Sequence, residues 1–168
     1  MDLKEIRERM YGQKLYYCND EDLMREQMKV LELLYDFNQT RPSEQDKREK
    51  ILKKMFAEIG DDCYIEPPFH ANWGGKNVHF GNGVYANFNL TMIDDCDIFV
   101  GNNVWIGANS VILPGVNIGD NSVIGAGSIV TKDIPSNVIA VGNPCRVLRE
   151  INENDMKYYY RDMKIDIE

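Results

Sequence analysis

The chain has 168 residues, enough for one domain with an appendage. Its formal net charge of −8 and isoelectric point near 4.8 exclude nucleic acid or an anionic membrane as the main partner. No apolar run reaches the roughly 18 residues that a membrane-spanning helix needs.

The N-terminus, MDLKEIRERM, is charged and lacks the apolar core of a signal peptide. Cys18, Cys63, Cys96 and Cys145 are scattered, with no CxxC pair. The expectation is a cytoplasmic protein with reduced thiols rather than a disulfide framework.

Residues 1–58 read as a helical segment. Leu3, Ile6 and Met10 form a short apolar stripe that stops near Gly12. Asn19 or Asp20 caps a second helix, in which Leu23, Met24, Gln27, Leu31, Leu34 and Tyr35 recur at spacings of three and four. Arg41-Pro42 cannot continue it. Ser43 then caps a third helix, with Asp46 three residues later as in a capping box. Its apolar face is Ile51, Leu52, Met55, Phe56 and Ile59, and the charged run 47–54 is its wet side.

From residue 59 to about 135 a six-residue period takes over. It starts raggedly, fits poorly between Ala71 and Val78, and is cleanest where Val100, Ile106, Ile112, Ile118, Ile124 and Val130 recur at every sixth position. This period fits neither a helix nor an alternating strand; it is the signature of a parallel β-helix, with aliphatic side chains stacked inward from coil to coil. Gly101, Gly107, Gly119 and Gly125 follow the inward residue, at bends with little room for a side chain. Asn102, Asn103, Asn109, Asp120 and Asn121 suit the turns. About four triangular coils are expected, with a register shift at Ile98-Phe99 read as a bulge or corner loop. Both solenoid ends need covers: the N-terminal helices for one, and a capping tail, residues 136–168, for the other. Within that tail Gly142-Asn143-Pro144 reads as a turn and Val147-Leu148 as an edge strand, while Tyr158, Tyr159 and Tyr160 are expected to pack on the helices or on a neighbouring subunit.

These pieces together resemble the maltose/galactoside O-acetyltransferases of the hexapeptide-repeat class. The matching stretches are YDFNQTRPSEQDKREKILKKMF, EPPFH, YANFNLTMIDD, GNNVWIGANSVILPGVNIGDNSVIGAGSIVTKDIP and VGNPCRVLREIN, which cover nearly the whole chain. The resemblance implies a left-handed β-helix, a homotrimer with active sites between subunits, and acetyl transfer from acetyl-CoA to a sugar hydroxyl without a metal. It assigns Asn87, Asp95 and Trp105 to the acceptor site, Ala108 and Ala126 to the pantetheine arm, and Thr131, Lys132, Arg146 and Arg149 to the nucleotide end of CoA. One sequence feature supports that last group. No Lys or Arg occurs between Asn77 and Thr131, after which Lys132, Arg146 and Arg149 arrive together, and phosphates need such donors.

The resemblance fails at one place. In the family a loop-bearing stretch precedes the NNVWIG unit and carries the histidine that deprotonates the acceptor hydroxyl. Here Ile98-Phe99-Val100-Gly101-Asn102-Asn103-Val104 runs straight into Trp105, as if whole coils were excised. No catalytic residue is therefore assigned, and acetyl transfer is expected to be very slow or undetectable. The alternative is a catalytically silent trimeric scaffold that still binds CoA. A zinc hydratase of the γ-carbonic anhydrase type would need three histidines; His70 and His79 are the two present.

Overall fold

The structure is a computed structural model that describes residues 1–167. Residue 168 and the Tyr160 side chain, both in the expected tail, lie outside that description. Three helices, α1 (Leu3–Tyr11), α2 (Glu21–Asn38) and α3 (Gln45–Met55), precede the solenoid. Asp20 caps α2 by accepting from the Asp22 and Leu23 N–H groups, both at 3.0 Å.

The start of α3 differs from expectation. Glu44, not Ser43, is the cap residue, and its own side chain reaches back to the Arg41 N–H at 2.7 Å. The helix ends at Met55, so Ile59 belongs to the first strand. Within the run expected to be wet, Arg48 is buried, its guanidinium bonded to Thr40 Oγ1 at 2.7 Å and to the Tyr64 hydroxyl at 3.1 Å.

Four coils follow. The first holds β1 (Glu58–Ile59), β2 (Tyr64–Ile65) and β3 (Phe69–Ala71), and the second β4 (Val78–Phe80), β5 (Tyr85–Ala86) and β6 (Leu90–Met92). The third holds β7 (Ile98–Val100), β8 (Trp105–Ile106) and β9 (Val111–Ile112), and the fourth β10 (Asn117–Ile118), β11 (Val123–Ile124) and β12 (Ile129–Val130). Strands stack in parallel as three faces. Face A is β1-β4-β7-β10, face B begins β2-β5-β8-β11, and face C is β3-β6-β9-β12. Ile65, Ala86, Ile106 and Ile124 point inward on face B, and Leu90, Ile112 and Val130 do so on face C.

Register explains the ragged start. Paired residues are 18 apart at Trp105↔Val123, three clean hexads, but 21 apart at Tyr64↔Tyr85. The extra residues sit at the corner between faces C and A, in 72–77 and 93–97. The first of these loops is pinned by Asp94, whose carboxylate accepts from the Trp73 N–H at 2.6 Å and the Gly75 N–H at 2.9 Å. Of the two readings expected at Ile98-Phe99, the corner loop holds and the bulge does not: the extra residue lies in 93–97, and β7 pairs in register with β4 and β10.

At the corner between faces A and B, Asn103, Asn121 and Asn137 have positive φ and hand amide hydrogen bonds up a ladder at 3.2 and 3.1 Å. This is the turn role that asparagine tolerates and most residues do not. Helices α2 and α3 close the first coil: the Phe56 ring meets Phe69 at 5.7 Å and Phe80 at 5.1 Å. At the far end β13 (Val138–Val141) extends face B, and β14 (Arg146–Glu150) pairs with it antiparallel as the edge strand expected at Val147-Leu148. A small hairpin of β15 (Tyr158–Tyr160) and β16 (Met163–Lys164) ends the chain, with Tyr159 exposed rather than packed on the helices.

Candidate active site

The outer surface of face B carries two of the candidate residues, Trp105 and Arg149, in one column. The register Tyr64↔Tyr85↔Trp105↔Val123↔Ile139↔Arg149 runs from the first coil to the edge strand. Tyr64 and Tyr85 stack at 5.9 Å with planes 14° apart, and Trp105 beside them is 50% exposed. At a strand spacing of about 4.8 Å, Trp105 and Arg149 stand about 14 Å apart, with the half-buried Val123 and Ile139 between them. An aromatic end, an apolar middle and a cationic end form a track suited to a long thioester with a charged head.

Beside the aromatic end lies a polar row. The position after each inward residue is Glu66, Asn87, Gly107 and Gly125 on successive coils. The Trp105 indole N–H donates to Asn87 Oδ1 at 2.8 Å, and Asn87 Nδ2 donates to Glu66 Oε2 at 3.2 Å. The Tyr85 hydroxyl donates to Glu66 Oε1 at 2.5 Å. That bond, helped by the Asn87 amide, lowers the Glu66 pKa against the opposing effect of burial and raises that of Tyr85. Sequence reasoning missed Glu66 and Tyr85. The available signal was a charged residue in a row where later coils carry glycine.

One position further on are Ala108 and Ala126. They are neighbours, and the Gly127 N–H donates to Ala108 O at 2.8 Å. A Cβ on Gly107 would stand 2.5 Å from the Ala126 nitrogen, so the two coils approach backbone to backbone here. Three candidates are placed elsewhere. Thr131 and Lys132 follow β12, and Asp95 follows β6, at the corner beyond face C. Asp95 accepts from Asn72 Nδ2 at 3.2 Å. Arg146 donates to the Cys145 carbonyl at 2.7 Å, and Arg149 is bidentate to Asp155 at 2.7 and 2.6 Å. One chain thus unites Asn87 with Trp105 and Ala108 with Ala126, and leaves Asp95, Thr131 and Lys132 on a different edge of the prism.

The histidines stand apart from both groups. His79 lies on face A, its Nε2 3.0 Å from Asp97 Oδ1, its Nδ1 3.6 Å from Glu58 Oε2, and its ring stacked on Phe99 at 4.4 Å. His70 is exposed on face C, opposite Thr91. Among the described residues no group of three or more His, Cys, Asp or Glu is arranged to hold a metal, and no helix is long and apolar enough to cross a membrane.

Helices capping a parallel solenoid of six-residue turns define the class of hexapeptide-repeat transferases. The chain matches the maltose acetyltransferase hexapeptide capping motif over residues 9–60 and the bacterial transferase hexapeptide (six repeats) over 97–132. It is 48% identical to a galactoside O-acetyltransferase of Lactococcus lactis, covering 98% of this chain and 97% of that one. It is 44% identical to the galactoside O-acetyltransferase of Escherichia coli, covering 95% and 96%. Among solved structures, a galactoside acetyltransferase in complex with coenzyme A superposes with a TM-score of 0.81 at 42% identity, over 96% of this chain and 98% of that one. A maltose O-acetyltransferase from Clostridium difficile gives 0.73 at 36%, over 88% and 98%. The chain belongs to the galactoside and maltose O-acetyltransferase family, whose members are acetyl-CoA-dependent transferases. The Lactococcus alignment spans 200 positions against 168 residues here, so at least 32 positions of that relative have no counterpart.

Proposed function

We propose that the protein binds acetyl-CoA along the outer surface of face B and a galactoside- or maltose-type sugar beside Trp105 and Asn87, as a cytoplasmic homotrimer, and that it transfers acetyl slowly. The observation that carries this reading is the column from Tyr85 and Trp105 over Val123 and Ile139 to Arg149, with Glu66 and Asn87 at its side. Ala108 and Ala126 would bound the pantetheine arm, and Thr131, Lys132, Arg146 and Arg149 would supply donors to the phosphates. Trimer formation would bring the edge bearing Asp95, Thr131 and Lys132 against the Trp105 face of a neighbour. The four unpaired cysteines support a reducing compartment.

The reaction requires a sugar oxygen to attack the thioester carbonyl while its proton leaves and the CoA thiolate departs and is protonated. A positioned base contributes about 10²–10⁴ in rate. Neither histidine adjoins Trp105 within the chain, and both nitrogens of His79 face carboxylates. Holding the substrates together and polarising the carbonyl with a backbone N–H remain as sources of rate.

The test is calorimetry with CoA beside an assay of CoA release with maltose and galactosides across neutral pH. Binding with release close to background is expected. Failure to bind CoA would overturn the assignment, and turnover in the ordinary range of about 1–10³ s⁻¹ would overturn the slow step. CoA binding with no sugar-dependent release at all would favour the silent scaffold, a reading supported by the same absence of an imidazole beside Trp105.

A further inference from the structure

The direction of the hydrogen bonds around Asn87 is set by chemistry. An indole nitrogen only donates, so Asn87 must turn its Oδ1 to Trp105. Its Nδ2 then faces the other way and needs acceptors, which are Glu66 Oε2 and the Tyr85 oxygen, each at 3.2 Å. Glu66, ionised, only accepts. It takes the Asn87 amide on one oxygen and the Tyr85 hydroxyl on the other. Tyr85 is steadied from behind by its stack on Tyr64, whose hydroxyl accepts from the buried Arg48.

We propose that Glu66 is a positioning residue: its carboxylate fixes which way the Asn87 amide faces and, through it, the orientation of the Trp105 indole beside the acceptor sugar. The sugar part of this proposal rests on the acceptor site proposed above; the hydrogen-bond chain does not. A donor-for-acceptor exchange at one member must then be corrected by the opposite exchange at its partner. Asn87→Asp alone sets two carboxylates face to face across 3.2 Å. Adding Glu66→Gln restores a donor opposite an acceptor and leaves the Trp105 N–H its partner.

The experiment follows the Trp105 indole N–H resonance in the full-length protein, with Trp105→Phe distinguishing it from the only other tryptophan, Trp73. Asn87→Asp is expected to move the signal, and Glu66→Gln in that background to return it towards its original position. Glu66→Ala is expected to move the indole signal and weaken maltose or galactoside binding about tenfold. Independent, additive effects of Asn87→Asp and Glu66→Gln would overturn the proposal. So would Glu66→Ala leaving the signal and the sugar affinity in place. A moved signal with unchanged affinity would overturn the acceptor reading, while the positioning of Trp105 by Glu66 and CoA binding would stand. The shape-conserving exchange carries the test if Glu66→Ala does not fold.

Discussion

Phe99 lies in register between His79 on one side and Asn117 on the other. Its N–H donates to Val116 O at 3.1 Å, and on either side of it the Ile98 N–H donates to Asn77 O at 2.9 Å and the Gly101 N–H to Ile118 O at 2.8 Å. The ladder is therefore unbroken through the segment that runs straight into Trp105. A solenoid contacts only its neighbouring coils, so loss of a whole number of coils keeps inward residues inward. In this chain Trp105 stands directly above Tyr85 and bonds to Asn87.

If no imidazole acts on the sugar hydroxyl, the histidines are spectators. His70→Ala and His79→Ala should each leave sugar-dependent CoA release within about twofold, well short of the factor of about 10²–10⁴ that loss of a general base removes. His79→Ala also frees Asp97 and Glu58 and uncovers Phe99, so its stability should be followed by urea unfolding alongside the rate. A fall of a hundredfold in either variant with native stability would identify a base and refute the slow-transfer reading.

Coils approach closely at the corner proposed to bound pantetheine. A methyl at Gly107 meets the Ala126 nitrogen at 2.5 Å and the Gly125 carbonyl carbon at 3.0 Å, both rigid backbone. Gly107→Ala should cost about 1–3 kcal/mol, with weaker CoA binding as the corner opens. Gly127 has φ of +71° and open space around its would-be Cβ. Gly127→Ala should cost only the left-handed backbone penalty, about 1–2 kcal/mol, and leave CoA affinity intact. Equal effects of the two on CoA binding would show that the corner spacing is unimportant to the ligand.

The clean hexads from Val100 to Val130 were legible because inward side chains there are aliphatic and corners are of constant length. Coils one and two were not, since corner loops at 72–77 and 93–97 add residues and shift the count. The column Tyr64, Tyr85, Trp105 is invisible for the same reason: its members are 21 and then 20 residues apart, and only the paired strands show that they share a face. The start of α3 was misjudged because Ser43 is a good cap by type, whereas Glu44 satisfies the Arg41 N–H from one residue later. Arg48 looked like part of a wet face, and only the fold shows Thr40 and Tyr64 waiting for its guanidinium. Among the candidate ligands, the Asn87–Trp105 contact follows from stacking of coils, while the placement of Asp95 on another edge follows from the triangle itself.

Asp94 is the tie between the early corner loop and the solenoid. Burial raises its pKa, with the Trp73 and Gly75 N–H groups opposing that effect. Asp94→Asn keeps the shape but turns an amide donor towards one of those N–H groups. The unmatched donors should destabilise the protein by about 1–3 kcal/mol, read as a lower urea midpoint with unchanged slope. The native-state pKa lies above its ordinary value, so stability contributed by the protonated form is full below that ordinary value. It is lost as pH rises through the raised one. The difference between wild type and Asn variant should accordingly narrow with rising pH across that window, and a widening difference would contradict the burial-dominated origin of the shift.

Arg149 reaches the proposed nucleotide end of the track already held by Asp155, both guanidinium nitrogens donating to one carboxylate. That pairing, together with the Asn152 N–H, lowers the Asp155 pKa to about 2. A depressed carboxylate pKa means that the stabilising clamp is fully present above the ordinary aspartate range and is lost only as pH falls through about 2. Near neutrality the clamp is closed, and a phosphate must compete with Asp155 for the same fork. Asp155→Asn should therefore tighten CoA binding severalfold by releasing the guanidinium, whereas Arg149→Ala should weaken it about tenfold, the usual cost of a charge-assisted hydrogen bond. In Arg149→Ala/Asp155→Asn the gain should vanish, because there is no guanidinium left to release. Calorimetry on the three variants at one pH and low salt decides it: a gain from Asp155→Asn that persists without Arg149 would mean that the carboxylate merely repels CoA from a distance, and that Arg149 serves the tail rather than the ligand.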